Sequence, residues 1–352
     1  MDHKIQLCVV FGGQSGEHEV SRVSATNVLE AINQDKYDIT VVGITKKGVW
    51  CIYSGAYQNI GNGTWEEDRQ NVQENIHVFE ALKDIDVFFP VMHGPMCEDG
   101  TIQGVFEMLN KPYVGNGVLG AAVGMDKVVS KILFTEAGIP TGPYIYFRKR
   151  DWLKKQAVLI EKAEAKLNYP MFVKPVDMGS SVGISKAHNQ SELIKGIKEA
   201  LRYDHKIIVE EGIDGYEVEC AVLEDQDEIK AAIPGQVDAA SEFYDYDAKY
   251  NSGDNSKITI PAPLEETVLK QVQAYAIKAF DAIECSGLTR VDFFVQKSDH
   301  KILINEVNTL PGFTNISMYP KMWEASGIAY VDLVEKIIQS ASCKRIYSYD
   351  TE

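Results

Sequence analysis

Thr289-Arg290-Val291-Asp292-Phe293-Phe294 and, a little further on, Leu303-Ile304-Asn305-Glu306-Val307-Asn308 both read as buried β-strands, rich in Val, Ile, Leu and Phe. Strands of that kind do not normally carry Arg, Asp, Glu and Asn, because an uncompensated buried polar group costs roughly 2–7 kcal/mol and a charge more. Side chains alternate along a strand, so Glu306 and Asn308 share one face while Asn305 and Val307 share the other. Arg290 and Asp292 also share a face. Two such strands side by side would present Asp, Glu and Asn oxygens together with a guanidinium. Hard oxygen ligands on rigid strands suit magnesium, which prefers a few carboxylates completed by phosphate oxygens. With Arg290 alongside, the pattern points to phosphoryl chemistry. A buried ion pair on a solvated edge strand is the plainer alternative.

The chain around these strands has 352 residues, enough for two or three domains, with 45% hydrophobic and 24% charged residues as in ordinary globular proteins. Its formal charge of -16 argues against non-specific nucleic-acid binding and against docking on an anionic membrane. A phosphate ligand remains compatible, since a few lysines can dominate a pocket's field. Cys8, Cys51, Cys97, Cys220, Cys285 and Cys343 are scattered without a C-x-x-C pair, which reads as reduced thiols of a cytoplasmic protein. The run Ile5–Phe11 is too short for a membrane span and has no signal-peptide pattern.

The first third alternates strand and helix. Ile5–Phe11 is a strand, Val20–Ile32 a helix, Tyr37–Ile44 and Ile85–Val91 strands, Val105–Leu109 part of a short helix, and Tyr113-Val114 the start of another strand. That βαβ series implies a parallel sheet. Tyr53 to Asn75 is poorly patterned and reads as a loop or hairpin. Past Met125, Asp126–Ala137 is a helix ended by Gly138, and helices at Trp152–Leu167 and Glu192–Leu201 alternate with strands at Met171–Lys174, Ile184–Lys186 and Lys206–Glu211. Strands follow at Glu217–Leu223, Ile229–Pro234, Leu288–Val295 and Lys301–Val307. Leu264, Val268, Val272, Ala276 and Phe280 form one helical stripe, and Val331–Ile338 is a terminal helix. The polar, aromatic stretch Ser241–Lys257 reads as a functional loop or lid. The expected division is an N-terminal α/β part over 1–125, a small central α+β part over 126–213, and a C-terminal part over 214–352 carrying the 241–257 lid.

Lys174-Pro175-Val176-Asp177-Met178-Gly179-Ser180-Ser181-Val182-Gly183 places a lysine at a strand end before small residues that let the backbone close over a phosphate; it lacks Walker A spacing, and a tight hairpin is the alternative. Glu210 and Glu217 flank a strand-to-strand turn, where they can accept from an adenine amine and a ribose hydroxyl, or simply face solvent. Glu17, after Gly12-Gly13-Gln14-Ser15-Gly16, can hold a ligand ammonium or complement the helix macrodipole. His93, Cys97, Glu98 and Asp99 lie after a buried strand, at the ligand end of a parallel sheet. His93, Cys97 and Asp99 make no convincing zinc site without a second ligand cluster, and His93 is equally readable as structural or catalytic. Gly312, in Asn308-Thr309-Leu310-Pro311-Gly312, can give an N–H to an oxyanion or form an ordinary turn.

Taken in order, these segments resemble the D-alanine–D-alanine ligase family of the ATP-grasp superfamily. The resemblance runs from GGQSGEHEVS at Gly12–Ser21 through HGPMCEDGTIQG, MDK at Met125–Lys127, FVKPVDMGSSVGISK, EEGIDGYEVECAVL, FYDYDAKY and TRVDFF to NEVNTLPGFTNISMYP at Asn305–Pro320. It implies a three-domain α/β and α+β ATP-grasp fold, a homodimer, and a role in peptidoglycan precursor synthesis. Carried over residue by residue, Lys127 and Lys174 contact the ATP phosphates, Ser181 covers them, Glu210 meets adenine and Glu217 the ribose, and Lys249 reaches the transferring phosphate from the lid. Asp292, Glu306 and Asn308 hold two Mg²⁺ ions, with Mn²⁺ as a substitute. Glu17, linked with Ser180 and Tyr250, takes the ammonium of the first D-alanine, with His93 nearby. Arg290 and the Gly312 amide stabilise the oxyanion, and Ser317 takes the second D-alanine's carboxylate. Cys97 departs from the glycine that relatives usually carry there, which bears on the shape of that loop. D-alanine–D-serine ligase is the alternative activity, although FYDYDAKY and Ser317-Met318 look like the D-alanine type.

Overall fold

The structure is a computed structural model and describes residues 4–226, 228–238 and 257–342. The expected lid over 241–257, with Lys249 and Tyr250, lies outside the described residues except for Lys257.

Three sheets organise the chain. The first contains β1 (Ile5–Gly12), β2 (Tyr37–Ile44), β3 (Trp50–Tyr53), β4 (Val72–Glu74) and β5 (Val87–Val91), in the order β4-β3-β2-β1-β5. β1 is fully buried from Leu7 to Phe11 and pairs in parallel with both β2 and β5, as a central strand of an α/β layer must. The sheet is nevertheless mixed and not wholly parallel, because β3 turns back antiparallel on β2 and β4 on β3. Tyr53 to Asn75, expected as a loop or hairpin, therefore holds the end of β3, the short helix α2 (Tyr57–Asn62) and β4. Its alternation is hidden by glycines and by Trp65, which is buried against Phe11 and Tyr53. Tyr113-Val114 does not start a strand: Tyr113 makes a single bridge to Phe88 and the chain leaves the sheet.

Gly12 ends β1 with φ +88°, and a Cβ there would sit 2.2 Å from the Ile44 carbonyl oxygen. The chain can therefore turn sharply into α1 (His18–Ala31) and bring Glu17 to the carboxyl end of the sheet. Further along come α3 (Val78–Ala81), α4 (Thr101–Met108), α5 (Val118–Met125) and α6 (Lys127–Glu136), the last capped by Asp126, which accepts from the Val128 and Val129 amides at 3.0 and 2.9 Å.

The second sheet comprises β6 (Tyr144–Arg148), β7 (Met171–Pro175), β8 (Ser185–Ala187) and β9 (Lys206–Glu211), wholly antiparallel in the order β6-β9-β7-β8. Helices α7 (Lys149–Lys166) and α8 (Gln190–Ala200) pack on it around Trp152, Leu193 and Ile197. The third sheet takes β10 (Gly215–Asp225), β11 (Glu228–Ala231), β12 (Gly235–Asp238), β13 (Lys257–Thr259), β14 (Leu288–Gln296) and β15 (Ile302–Asn308), with the central order β13-β12-β10-β14-β15. Helix α9 (Glu266–Ala282) lays Val272, Ala276 and Phe280 on one of its faces, along the expected stripe. Two last helices, α10 (Met318–Ala325) and α11 (Tyr330–Ser342), fill the space between this sheet and the first, so one apolar core runs from Leu7 and Val9 to Tyr319, Trp323 and Ile338.

The β14–β15 pairing sets Arg290 opposite Asn308 and Asp292 opposite Glu306. The register then slips between Asp292 and Phe293, whose partner is Ile304, so Asn305 is the extra residue of a β-bulge. Strict alternation, expected along this strand, holds for Glu306 and Asn308 but breaks at Asn305.

Candidate active site

A cleft of about 620 Å³ opens between the sheets and is lined by every described candidate: Glu17, His93, Lys127, Lys174, Ser180, Ser181, Glu210, Glu217, Arg290, Asp292, Glu306, Asn308, Gly312 and Ser317. Its volume suits a nucleotide-sized ligand. One wall is the face of the third sheet turned away from α9. There Glu219 of β10, Asp292 of β14 and Glu306 of β15 stand abreast on neighbouring strands, with Ala221, Arg290 and Asn308 abreast beside them. Like charges directly opposite one another across a ladder repel. Arg290 relieves part of this: its guanidinium donates to both Asp292 oxygens at 2.7 Å, and its Nε lies 2.9 Å from Glu219. The Asn308 amide adds 2.9 Å to Asp292, and Lys127 lies 3.7 Å from Glu306.

Among the described residues, no group of three His, Cys, Asp or Glu side chains forms a ready cation cage. The donor set nonetheless fits a hard divalent cation completed by substrate phosphate oxygens, since the Asp292 and Glu306 carboxylates and the Asn308 amide, all oxygen donors, meet at one patch on neighbouring strands.

On the opposite wall, Lys127 donates to the Met178 carbonyl at 2.8 Å. Lys174, at the end of β7, pairs with Glu210 at 2.8 Å. Burial works against charge on Lys174, but Glu210 and Glu306 outweigh it and raise its pKa. Burial likewise opposes ionisation of Glu210, yet Lys131 and Lys174 together hold its carboxyl down at about 2. Glu210 is thus no solvated turn residue. Glu217 is exposed near the same end of the cleft. Ser180 and Ser181 both take left-handed backbone (φ 49° and 58°), which costs of order 1–3 kcal/mol per residue and is characteristic of ligand loops. The Ser180 hydroxyl donates to Glu17, bringing together two candidates 163 residues apart in sequence.

Gly94 makes room for this pair: it has φ +76°, and a Cβ would lie 2.6 Å from the Ser15 hydroxyl and 3.5 Å from the Glu17 carboxyl carbon. Beside it Glu98 accepts from the Gly94 amide at 3.0 Å. Burial and the charge of Glu17 push Glu98 up to about 8, against the pull of the Gly94 amide and Arg290. His93 is a peg. Its Nδ1 faces the Leu310 carbonyl at 3.0 Å and so carries the hydrogen, leaving Nε2 to accept from Ser24 at 3.1 Å. Burial holds it down at about 4. Cys97 is fully buried, and the acids after it close the loop normally, Asp99 accepting from the Met96 and Thr101 amides. Ser317 stands at the N-cap position of α10 without a capping bond from its side chain, its hydroxyl meeting that of Thr314 at 2.8 Å, and it lines the cleft with Gly312.

Lys131 and Glu219 line the cleft without having been singled out from sequence, and Glu98, read there only as an acid at the ligand end of the first sheet, lines it too. A signal existed for Lys131, which lies one turn after Lys127 on the same face of α6. Glu219 follows Glu217 with strand spacing.

This three-sheet α/β architecture, with its cleft lined by lysines and carboxylates, is that of the ATP-grasp ligases. Sequence models described as D-ala D-ala ligase N-terminus and C-terminus match residues 6–116 and 133–339. The D-alanine–D-alanine ligase of Acetivibrio thermocellus is 49% identical over 97% of this chain and 96% of its own, and that of Ruminiclostridium cellulolyticum 46% over 96% and 95%. Among solved structures, VanG D-Ala:D-Ser ligase from Enterococcus faecalis superposes with a TM-score of 0.88 at 38% identity, covering 96% of this chain and all of that one. The D-alanine-D-alanine ligase from Coxiella burnetii gives 0.82 at 35%, covering 96% and 94%. The chain belongs to the D-alanine–D-alanine ligase family, a family of ATP-dependent ligases.

Proposed function

We propose that this protein joins two D-alanine molecules into D-alanyl-D-alanine with conversion of ATP to ADP and phosphate, supplying a peptidoglycan precursor in the cytoplasm as a homodimer. The observation that carries the reading is the meeting, in one cleft, of the Arg290–Asp292–Glu306–Asn308 face with the Glu17–Ser180 pair and the lysines Lys127 and Lys174.

A carboxylate is a poor acyl donor because its leaving group would be oxide. Glu17 holds the ammonium of the first D-alanine, with Ser180 fixing the Glu17 carboxylate and Tyr250 completing the set. The substrate carboxylate oxygen attacks the γ-phosphorus of ATP, the bond to ADP breaks, and an acyl phosphate forms. Lys127, Lys174 and Lys249 neutralise phosphate charge, Ser181 covers it, Glu217 holds the ribose, and the unused lone pairs of Glu210 accept from the adenine amine. Asp292, Glu306 and Asn308 would hold two Mg²⁺ ions, or Mn²⁺, which when bound supply charge neutralisation at the transferring phosphate. The neutral amine of the second D-alanine, its carboxylate held by Ser317 at the start of α10, attacks the acyl carbon, the bond to phosphate breaks, and the nitrogen's surplus proton departs with the phosphate. Arg290 and the Gly312 N–H stabilise the oxyanion, one such donor being worth about 3–4 kcal/mol. His93 acts by holding the loops, since both ring nitrogens are engaged.

The test is product identification by mass after incubation with ATP, Mg²⁺ and an equimolar mixture of D-alanine and D-serine. The expected product is D-alanyl-D-alanine. A dominant D-alanyl-D-serine signal would move the chain to the activity printed for its VanG neighbour, and no dipeptide at all would overturn the reading.

A further inference from the structure

Lys131 has no part in the chemistry above, yet it is 2% exposed and sits between the two halves of the cleft. Its ammonium lies 2.9 Å from Glu210 on one side. On the other it donates to the Asn305 carbonyl at 2.8 Å and reaches the Ile304 carbonyl at 3.4 Å. In a regular strand successive carbonyls point in opposite directions, so two neighbours meeting one cation is the signature of the bulge at Asn305.

That bulge decides where the candidate metal ligands point. Ile302 and Ile304 face the apolar core, and so does Val307, an odd step from them. Without the extra residue, a strand with Ile302 and Ile304 inward would carry Glu306 and Asn308 inward as well, since a slip of one residue exchanges the faces. With it, Glu306 and Asn308 stand opposite Asp292 and Arg290 on the cleft side.

We propose that Lys131 is a positioning residue that holds the β15 bulge and ties it to Glu210, so that one ammonium sets both the nucleotide-end carboxylate and the phase of the strand carrying Glu306 and Asn308. The inference rests on the ligase reading for the identity of the cation and nucleotide. Lys131→Met removes the donors while keeping the length, and leaves Glu210 paired with Lys174 at 2.8 Å.

The experiment measures Mn²⁺ binding by electron paramagnetic resonance, in the presence of a non-hydrolysable ATP analogue, alongside thermal melting. Loss of a group that orients metal ligands weakens metal affinity about tenfold to a hundredfold, and that is the expected result for Lys131→Met. Lys131→Arg, which restores charge and donors, should recover binding to within about threefold, since such orientation depends on the hydrogen bonds made. Mn²⁺ affinity unchanged in Lys131→Met, with only a lowered melting temperature, would reduce Lys131 to a buried ion pair and overturn the proposal. Should the Met variant fail to fold, Lys131→Gln replaces it with the same two outcomes. Binding is read without turnover, so wild-type protein that binds Mn²⁺ and nucleotide but makes no dipeptide overturns the ligase reading and leaves this result to be judged separately.

Discussion

Arg290 serves two constraints that the sequence could only half declare. The strand pattern showed a guanidinium sharing a face with Asp292, and the resemblance gave it an oxyanion. Neither showed that Glu219 shares the same guanidinium, because the β10–β14 register that sets Glu219 opposite Asp292 is a long-range fact. Removing Arg290 leaves two nearly buried carboxylates without their cation, a loss of roughly 3–5 kcal/mol in comparable pairs. Arg290→Ala is therefore expected to lower the melting temperature as well as the rate, and urea melts would detect it. Arg290→Lys, which keeps the charge but not the planar fork, should stay folded and lose turnover by about a hundredfold or more at near-normal ATP affinity. An effect of Arg290→Lys confined to ATP affinity would refute the oxyanion role.

Glu98 and His93 offer a pH test with opposite signs. The Glu98 carboxyl, pushed up to about 8 by burial and Glu17, keeps its proton where the unfolded chain, near about 4.3, has lost it. Its contribution to stability is thus complete below about pH 4.3 and is lost as the pH rises through 8. His93, held down at about 4, does the reverse: the unfolded imidazole binds a proton below about 6.5 that the folded one refuses, so stability grows from pH 4 to 6.5. The two oppose one another below pH 6.5 and Glu98 acts alone above it. Between pH 6.5 and 8 the protein should lose up to about 2 kcal/mol from this carboxyl, at 1.36 kcal/mol per unit. Glu98→Gln should flatten that slope in chemical melts, and an unaltered slope would place the titration elsewhere.

Among the elements, those with a strong period were legible: β1, β2, β9, β14 and the α9 stripe fall close to their expected spans. The bulge in β15 was not, because an extra residue leaves no mark in the order of residue types until the partner strand is known. The antiparallel β3–β4 return was legible only as a loop or hairpin over Tyr53 to Asn75, its two strands being four and three residues long. The start of α6 was legible in Asp126, but not its second task. Besides capping the helix, Asp126 takes the Lys206 ammonium at 2.6 and 2.8 Å, and Lys206 is buried. The cap alone is worth about 0.5–2 kcal/mol, and an orphaned buried lysine adds to the loss. Asp126→Ala should thus cost about 2–4 kcal/mol in a denaturant titration, whereas Asp126→Asn, which keeps the cap, should recover the smaller part. Equal losses in the two variants would assign the whole effect to the Lys206 pair.

At the scale of the whole molecule, the sequence suggested parts that could be divided at residues 125 and 213, and each sheet's own apolar strands were visible. Sequence did not reveal that α10 and α11, the last helices, serve the first sheet as much as the third. An apolar stripe says that a face is covered without saying by what. In the structure Met322, Trp323 and Ile338 belong to the same continuous core as Leu7, Val9 and Val87. The walls of the cleft that bear Glu17 and Arg290 are therefore fixed to one another through buried apolar contacts. Met322 is fully buried, so Met322→Ala should cost about 2–5 kcal/mol. If the core is cooperative, that cost appears at both ends of the chain: amide hydrogen exchange should lose the same protection in β1 as in β10. Loss of protection in β10 with β1 unchanged would mean that the two sheets open independently, and that Glu17 and Arg290 are held in register by bound substrate and not by the fold.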